Sequence, residues 1–220
     1  MTQRHHVQRL TWISVFLALV LVGIGAIRFV VHQRRSTHAR DLPVLGTVPP
    51  FSLVERSGRT ISRDDLGGTI WIADFIFTRC TSVCPLLSER MARVAHALRA
   101  AGTASTRLVS FSVDPAHDTP PVLADYADRF HADPTQWWFV TGDRAALYAL
   151  ISDGFRLSVA QREGSTNANP NDLITHSDRF VLIDGAFQIR AYYHGTDDDT
   201  LVQLIDDVEM LGSTTPKPGR

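Results

Sequence analysis

The two cysteines of this chain, Cys80 and Cys84, stand four residues apart with Pro85 directly after them, and no third cysteine exists for either to pair with. Before them runs Thr69 to Phe77, an apolar, β-rich stretch that reads as a buried central strand. After them Leu87, Met91, Val94 and Leu98 recur at helical spacing until Gly102 stops the helix. The thiols are thus expected where a strand ends and a helix begins. Unpaired amides and the helix dipole favour a thiolate there, and Arg79 is expected to push the same way. Two incidental buried thiols are the plain alternative, since free cysteine packs as a small hydrophobe. Thiolates are soft donors suited to Cu(I), zinc or redox work, but a closed tetrahedral zinc site would be two ligands short. A third ligand is needed.

The remaining punctuation describes one α/β domain. Phe51 to Val54 and Thr60 to Ser62 flank a Ser57-Gly58 turn, and Arg107 to Val113 is the next strand after the cysteine helix. Pro120 and Pro121 open a second helix with Thr119 placed to cap it. Strand Trp138 to Thr141 and helix Arg144 to Asp153 follow, then a polar, Asn-containing stretch over 161–172. Arg179 to Ile183 and Ala186 to Tyr193 flank Asp184-Gly185, a strong hairpin signal. A last helix carries Leu201, Leu204, Ile205, Val208 and Leu211. This order predicts a thioredoxin-like fold with a mixed central sheet flanked by helices, over residues 49–211, with 212–220 as a tail.

Ahead of that domain, residues 1–9 form a basic segment and 10–31 an apolar run about as long as the ~20 residues a bilayer core requires. No small-x-small cleavage site follows the run, so it reads as a retained transmembrane anchor, with 32–48 as a polar, then proline-rich, linker. Arg4 and Arg9 precede the helix while Arg28, Arg34, Arg35 and Arg40 follow it, and a literal positive-inside count would leave the domain cytoplasmic. Long domains translocate despite such charges, and paired thiols suit an oxidising compartment. The expected location is therefore the cytoplasmic membrane, crossed once, with the domain facing the periplasm or extracytoplasmic side. The first 40 residues hold six arginines and no acid, leaving the rest with 16 basic and 23 acidic side chains, a balance of −7. With no basic stripe after residue 40, nucleic acid is excluded as a partner.

Nine histidines compete for the third ligand position, and His5, His6, His32 and His38 lie outside the domain. His96 is three turns beyond Cys84, while His131 and His194 sit at element ends where solvated histidines are common. His117 stays open. His176 directly precedes strand Arg179 to Ile183, and in a thioredoxin-like sheet the loop there faces the helix that the cysteines open.

Three blocks together resemble the Sco/SenC copper chaperones: Phe77-Thr78-x-Cys80-x-x-x-Cys84-Pro85, then Ser112-Val113-Asp114-Pro115-x-x-Asp118-Thr119-Pro120, then Thr175-His176-Ser177 before a hairpin. The resemblance covers about residues 49–211. It implies a metallochaperone that holds copper, as Cu(I) or Cu(II), with Cys80, Cys84 and His176. It further implies that the copper is delivered to the binuclear copper site of cytochrome c oxidase subunit II, or to another cuproprotein, or that the thiols there are kept reduced. An upstream copper donor is implied as a further partner. Two departures stand out: Thr175 replaces the usual Asp before the histidine, and Ile76-Phe77 replaces the usual Gly-Tyr. The missing carboxylate bears on copper affinity, which outer partners tune. For Asp114 and Asp118 the residues alone suggest turn and capping roles.

The principal alternative is a membrane-anchored thiol-disulfide oxidoreductase, with Cys80 attacking and Cys84 resolving. A peroxiredoxin-like peroxidase is suggested only by Val83-Cys84-Pro85, without recognisable partner residues around it. A purely structural scaffold would leave the paired thiols without a role.

Overall fold

A computed structural model of the chain describes Gly23 and residues 42–103, 105–161 and 174–214. Strands β1 (Gly46–Thr47), β2 (Ser52–Glu55), β3 (Thr60–Ser62), β4 (Trp71–Ile76), β5 (Arg107–Ser112) and β6 (Trp137–Thr141) precede β7 (Val159–Gln161), β8 (Ile174–His176), β9 (Arg179–Ile183) and β10 (Gln188–His194). Helices α1 (Val83–Ala100), α2 (Pro120–Arg129), α3 (Arg144–Ala149) and α4 (Asp198–Thr214) connect or follow them. The main sheet has the order β1-β10-β9-β4-β5-β6-β2-β3, and β7 and β8 pair separately. β4, β5 and β6 run parallel through the middle while β9 joins β4 antiparallel. The result is the mixed sheet expected of a thioredoxin-like domain.

All six residues of β4 are buried, as a strand covered on both faces requires. On one face Phe75 stacks on Phe111 at 5.8 Å, and Phe155 packs edge-on against Trp71, Phe75 and Phe111 at 5.1–6.0 Å. On the other, Tyr126 of α2 meets Phe139 of β6 at 6.2 Å. α1 exposes the polar complement of its stripe, and Leu87, Met91, Val94 and Leu98 are buried. Arg90 of α1 donates to Asp198 at 2.7 Å, joining α1 to α4.

Several boundaries differ from the sequence reading. Leu42 and Val48 are buried, and Gly46 and Thr47 pair with Ile189 and Gln188, so the folded domain takes in residues 42–48 that were expected to be linker. A two-residue strand carries no periodicity that could announce it. The stretch expected as a loop begins with β7 and returns as β8, Val159 facing His176. Thr119 stands at the start of α2 with extended backbone, but its hydroxyl makes no cap bond; prolines at the first two helical positions leave little for it to cap. The turn after β9 is longer than an Asp-Gly turn: Phe187 returns its N–H to Asp184 O at 3.0 Å and itself takes the left-handed φ of 64°. α4 runs on to Thr214, into the expected tail. The expected basic segment 1–9 and, apart from Gly23, the expected membrane segment 10–31 lie outside the described residues. No helix among the described residues is long and apolar enough to cross a membrane.

One buried group conflicts with an apolar core. Asp74, in the middle of β4, is fully buried, and neither carboxylate oxygen has a hydrogen-bond partner. Burial pushes its carboxyl up to about 7, with the nearby Ser110 hydroxyl offsetting part of the rise. A folded-state value above the unfolded one means that the native state holds the extra proton, so stability falls as pH rises from about 4 to about 7. Asp74→Asn removes this titration. Urea unfolding at pH 5 and at pH 8 is expected to show the variant gaining on the parent at the higher pH, by roughly 2–3 kcal/mol.

Candidate metal centre

The cysteines lie where the strand hands over to the helix. After Ile76 the chain turns, Cys80 donating its N–H to Phe77 O at 3.2 Å, and α1 begins at Val83. The backbone N–H of Cys84 points at the Cys80 sulfur, 3.4 Å away, and the Ser82 hydroxyl lies 3.6 Å from the same sulfur. Cys80 is 5% exposed and Cys84 is fully enclosed; both are thiols rather than a disulfide. The Cys84 thiol donates to Cys80, and with the amides of Cys84 and Ser82 it draws Cys80 down to about 4 against the effect of burial. Cys84 is pushed far up by the same shared proton and by its own burial, with the carboxylate of Asp74 adding to the rise. One cysteine is thus a thiolate at neutral pH and the other holds its proton until a cation displaces it.

Arg79 does not act as the sequence suggested. Its guanidinium is held by Asp114, through Nε at 3.0 Å and Nη2 at 2.5 Å, and Asp114 is buried while Arg79 is partly exposed. The hydrogen bonds from the cysteine turn itself, rather than this cation, lower the Cys80 thiol.

Asp114 and Asp118 do more than shape their own turn. The buried Asp118 carboxylate accepts from the Thr78 hydroxyl at 2.6 Å, from Thr78 N–H at 3.3 Å and from the Ser112 hydroxyl at 2.6 Å. Asp118 N–H in turn donates to Asp114 O at 2.9 Å. The β5–α2 loop therefore grips the cysteine loop at Thr78 and Arg79, the two residues before Cys80. Sequence reasoning left both aspartates with a local role because nothing in their spacing says that a loop 40 residues away lies against them.

His176 closes β8, and β9 begins three residues later at Arg179. β9 lies against β4 with Trp71 facing Ile183, Ile72 facing Leu182 and Ala73 facing Val181. The ladder between the two strands comprises these three pairs, and β8 pairs separately with β7. Gly195 tightens the same corner: its N–H donates to Asp178 O at 2.9 Å, and a Cβ there would lie 2.5 Å from Leu87 of α1. Of the other histidines, His96, His117 and His131 are exposed, and His194 lies 3.4 Å from Asp178. Among the described residues no group of three His, Cys, Asp or Glu side chains forms a ready metal site; the cysteines supply two soft donors of the kind Cu(I) takes.

A reduced protein should therefore show one thiol that stays reactive in acid. Iodoacetamide is expected to modify Cys80 at a nearly constant rate from pH 8 to pH 5, falling only towards pH 4. Cys84→Ala, which removes the donated proton, is expected to move that inflection upward. An inflection near 8.5 in the parent would contradict the hydrogen-bonded thiolate.

The sequence model of the SCO1/SenC family matches residues 42–211. The SCO1 protein homolog of Bacillus subtilis is 29% identical over 172 residues, covering 78% of this chain and 86% of its own length. BsSco, a member of the Sco family of cytochrome c oxidase assembly proteins solved in work on a disulfide switch, superposes with a TM-score of 0.68 at 28% identity, covering 78% of this chain and 96% of its own. Arabidopsis thaliana ScoI, solved with copper bound, shares the fold at a TM-score of 0.64 and 22% identity, over 76% of this chain and 99% of its own.

Proposed function

This chain belongs to the SCO1/SenC family, and on that premise we propose that it is a copper-binding metallochaperone serving the binuclear copper site of cytochrome c oxidase subunit II, by delivering copper or by keeping the thiols there reduced. The observation that carries the reading is the pair Cys80 and Cys84 at the N-terminus of α1, one sulfur already a hydrogen-bonded thiolate. The relatives support it: BsSco is named with cytochrome c oxidase assembly and the Arabidopsis ScoI structure contains copper.

Cys80, Cys84 and His176 are the proposed ligands. Copper displaces the proton shared by the two thiols, and neutral imidazole from His176 completes a three-coordinate, open site. A recipient with more ligands removes the metal by exchange. Oxidation of the thiolate–thiol pair to a disulfide releases one proton and two electrons and removes both sulfur donors, so redox state sets copper affinity. Residues 10–31 anchor the chain in the cytoplasmic membrane, and 32–41 tether a domain on the extracytoplasmic side, where it meets its copper donor and recipient. No catalytic turnover is required of it.

One observation favours a second reading. An acidic thiol at Cys80 with an enclosed, proton-holding thiol at Cys84 is also the asymmetry a thiol-disulfide oxidoreductase needs, the first attacking and the second resolving. Anaerobic copper titration of the fully reduced protein, beside His176→Ala, separates the two. The chaperone reading predicts one-to-one binding, with thiolate-to-Cu(II) charge transfer, weakened more than about tenfold in the variant, since even outer partners of a metal act on that scale. Copper uptake that is absent, beside rapid reduction of disulfide substrates, would give the protein to the second reading.

A further inference from the structure

At the root of the β7–β8 hairpin lies a cavity of about 370 Å³ lined by Leu45, Arg156, Leu157, Arg179 and Tyr192. Its lining joins two guanidinium groups to an aliphatic and aromatic floor and, among the described residues, contains no carboxylate, in a domain whose overall balance is acidic. Among the described residues Arg179 pairs with its neighbour Asp178 alone, at 4.0 Å with both side chains about one-third exposed, an ion pair of the weak surface kind. Arg156 is exposed and donates one bond, from Nη1 to Leu45 O at 3.1 Å. Among the described residues no carboxylate pairs with it, and most of its five donors are left for another acceptor.

The backbone at Arg156 is the second observation. Its φ of 55° lies in the left-handed region, where a Cβ is crowded and glycine fits with least strain. The strain arises because Phe155 is drawn fully into the aromatic core while the Tyr192 hydroxyl holds its carbonyl at 2.9 Å. The chain reverses there and presents Arg156 at the cavity mouth. An arginine at a position that favours glycine points to a use for its side chain.

We propose that this cavity is a docking site for a partner protein, which inserts an acidic side chain flanked by an aliphatic one. The two guanidiniums take the carboxylate as charge-assisted, planar donors, and Leu45, Leu157 and Tyr192 take the aliphatic neighbour. Val159, two residues past Leu157, faces His176 across the hairpin, and Arg179 opens β9 three residues after it. A partner gripped here therefore sits against the backbone that carries His176. That the partner is one exchanging copper rests on the chaperone reading above; the pocket's preference for acid beside aliphatic does not.

The test uses the full chain in non-ionic detergent micelles and a fluorescein-labelled peptide of alternating glutamate and leucine, followed by anisotropy, with a lysine–leucine peptide as control. The acidic peptide is expected to bind, to weaken with added salt, and to bind at least about tenfold more weakly to Arg156→Gln/Arg179→Gln while both proteins take up copper equally. Leu157→Glu, made separately, is expected to weaken the acidic peptide and to favour the basic one. Failure of the parent to bind the acidic peptide, equal binding of the two peptides, or full binding by the double variant would each overturn the docking site. A parent that binds the acidic peptide but no copper would uphold the docking site and remove the chaperone reading.

Discussion

A sulfur atom held against the first amides of a helix is the constraint on which the metal end of this domain depends. Cys80 can lie there only because β4 stops at Ile76, the chain turns at Phe77, and α1 begins soon enough for Cys84 N–H to reach back 3.4 Å. The spacing of the two cysteines fits that geometry: three intervening residues span the turn into the helix, so one sulfur caps the amides while the other begins the helix and is enclosed. The same arrangement explains why the thiols differ. They share one proton, and the amides decide which sulfur gives it up. A copper ion entering there meets one donor already ionised and a second whose proton it must displace.

Such a turn would be loose if it were held by its own backbone alone. The β5–α2 loop holds it from outside, Asp118 through Thr78 and Asp114 through Arg79. From the other side β9 lies against β4, and β8, which ends at His176, comes directly before β9 in the chain. The cysteine turn is thus held at one strand end by a loop that the core strands deliver. The parallel pairing of β4 with β5 and the antiparallel pairing of β4 with β9 do this work, and the Phe75–Phe111–Phe155 cluster keeps those strands in register.

Much of this was legible in the sequence. Alternation and turn residues predict the central strands and the two long helices because those elements bury whole stripes, and the cysteines fall between a strand and a helix wherever the exact ends lie. What was not legible depends on contacts rather than periodicity. β1 is two residues long, and β7 and β8 are short strands paired outside the main sheet. Asp118 reads as a capping residue until Thr78 is seen against it, and Arg79 reads as a thiolate-stabilising cation until Asp114 takes it. Phe187 carries the left-handed angle that Asp184-Gly185 seemed to claim. For both Asp118 and Arg79 a partner distant in sequence overrode the local preference.

Copper K-edge X-ray absorption on the anaerobically loaded protein tests the central claim most directly, because it reads the donor atoms themselves. The account predicts two sulfur scatterers and one nitrogen scatterer with the outer-ring pattern of imidazole, the imidazole pattern vanishing in His176→Ala and one sulfur in Cys84→Ser. Copper coordinated only by nitrogen and oxygen, or a spectrum unchanged when either residue is replaced, would contradict it.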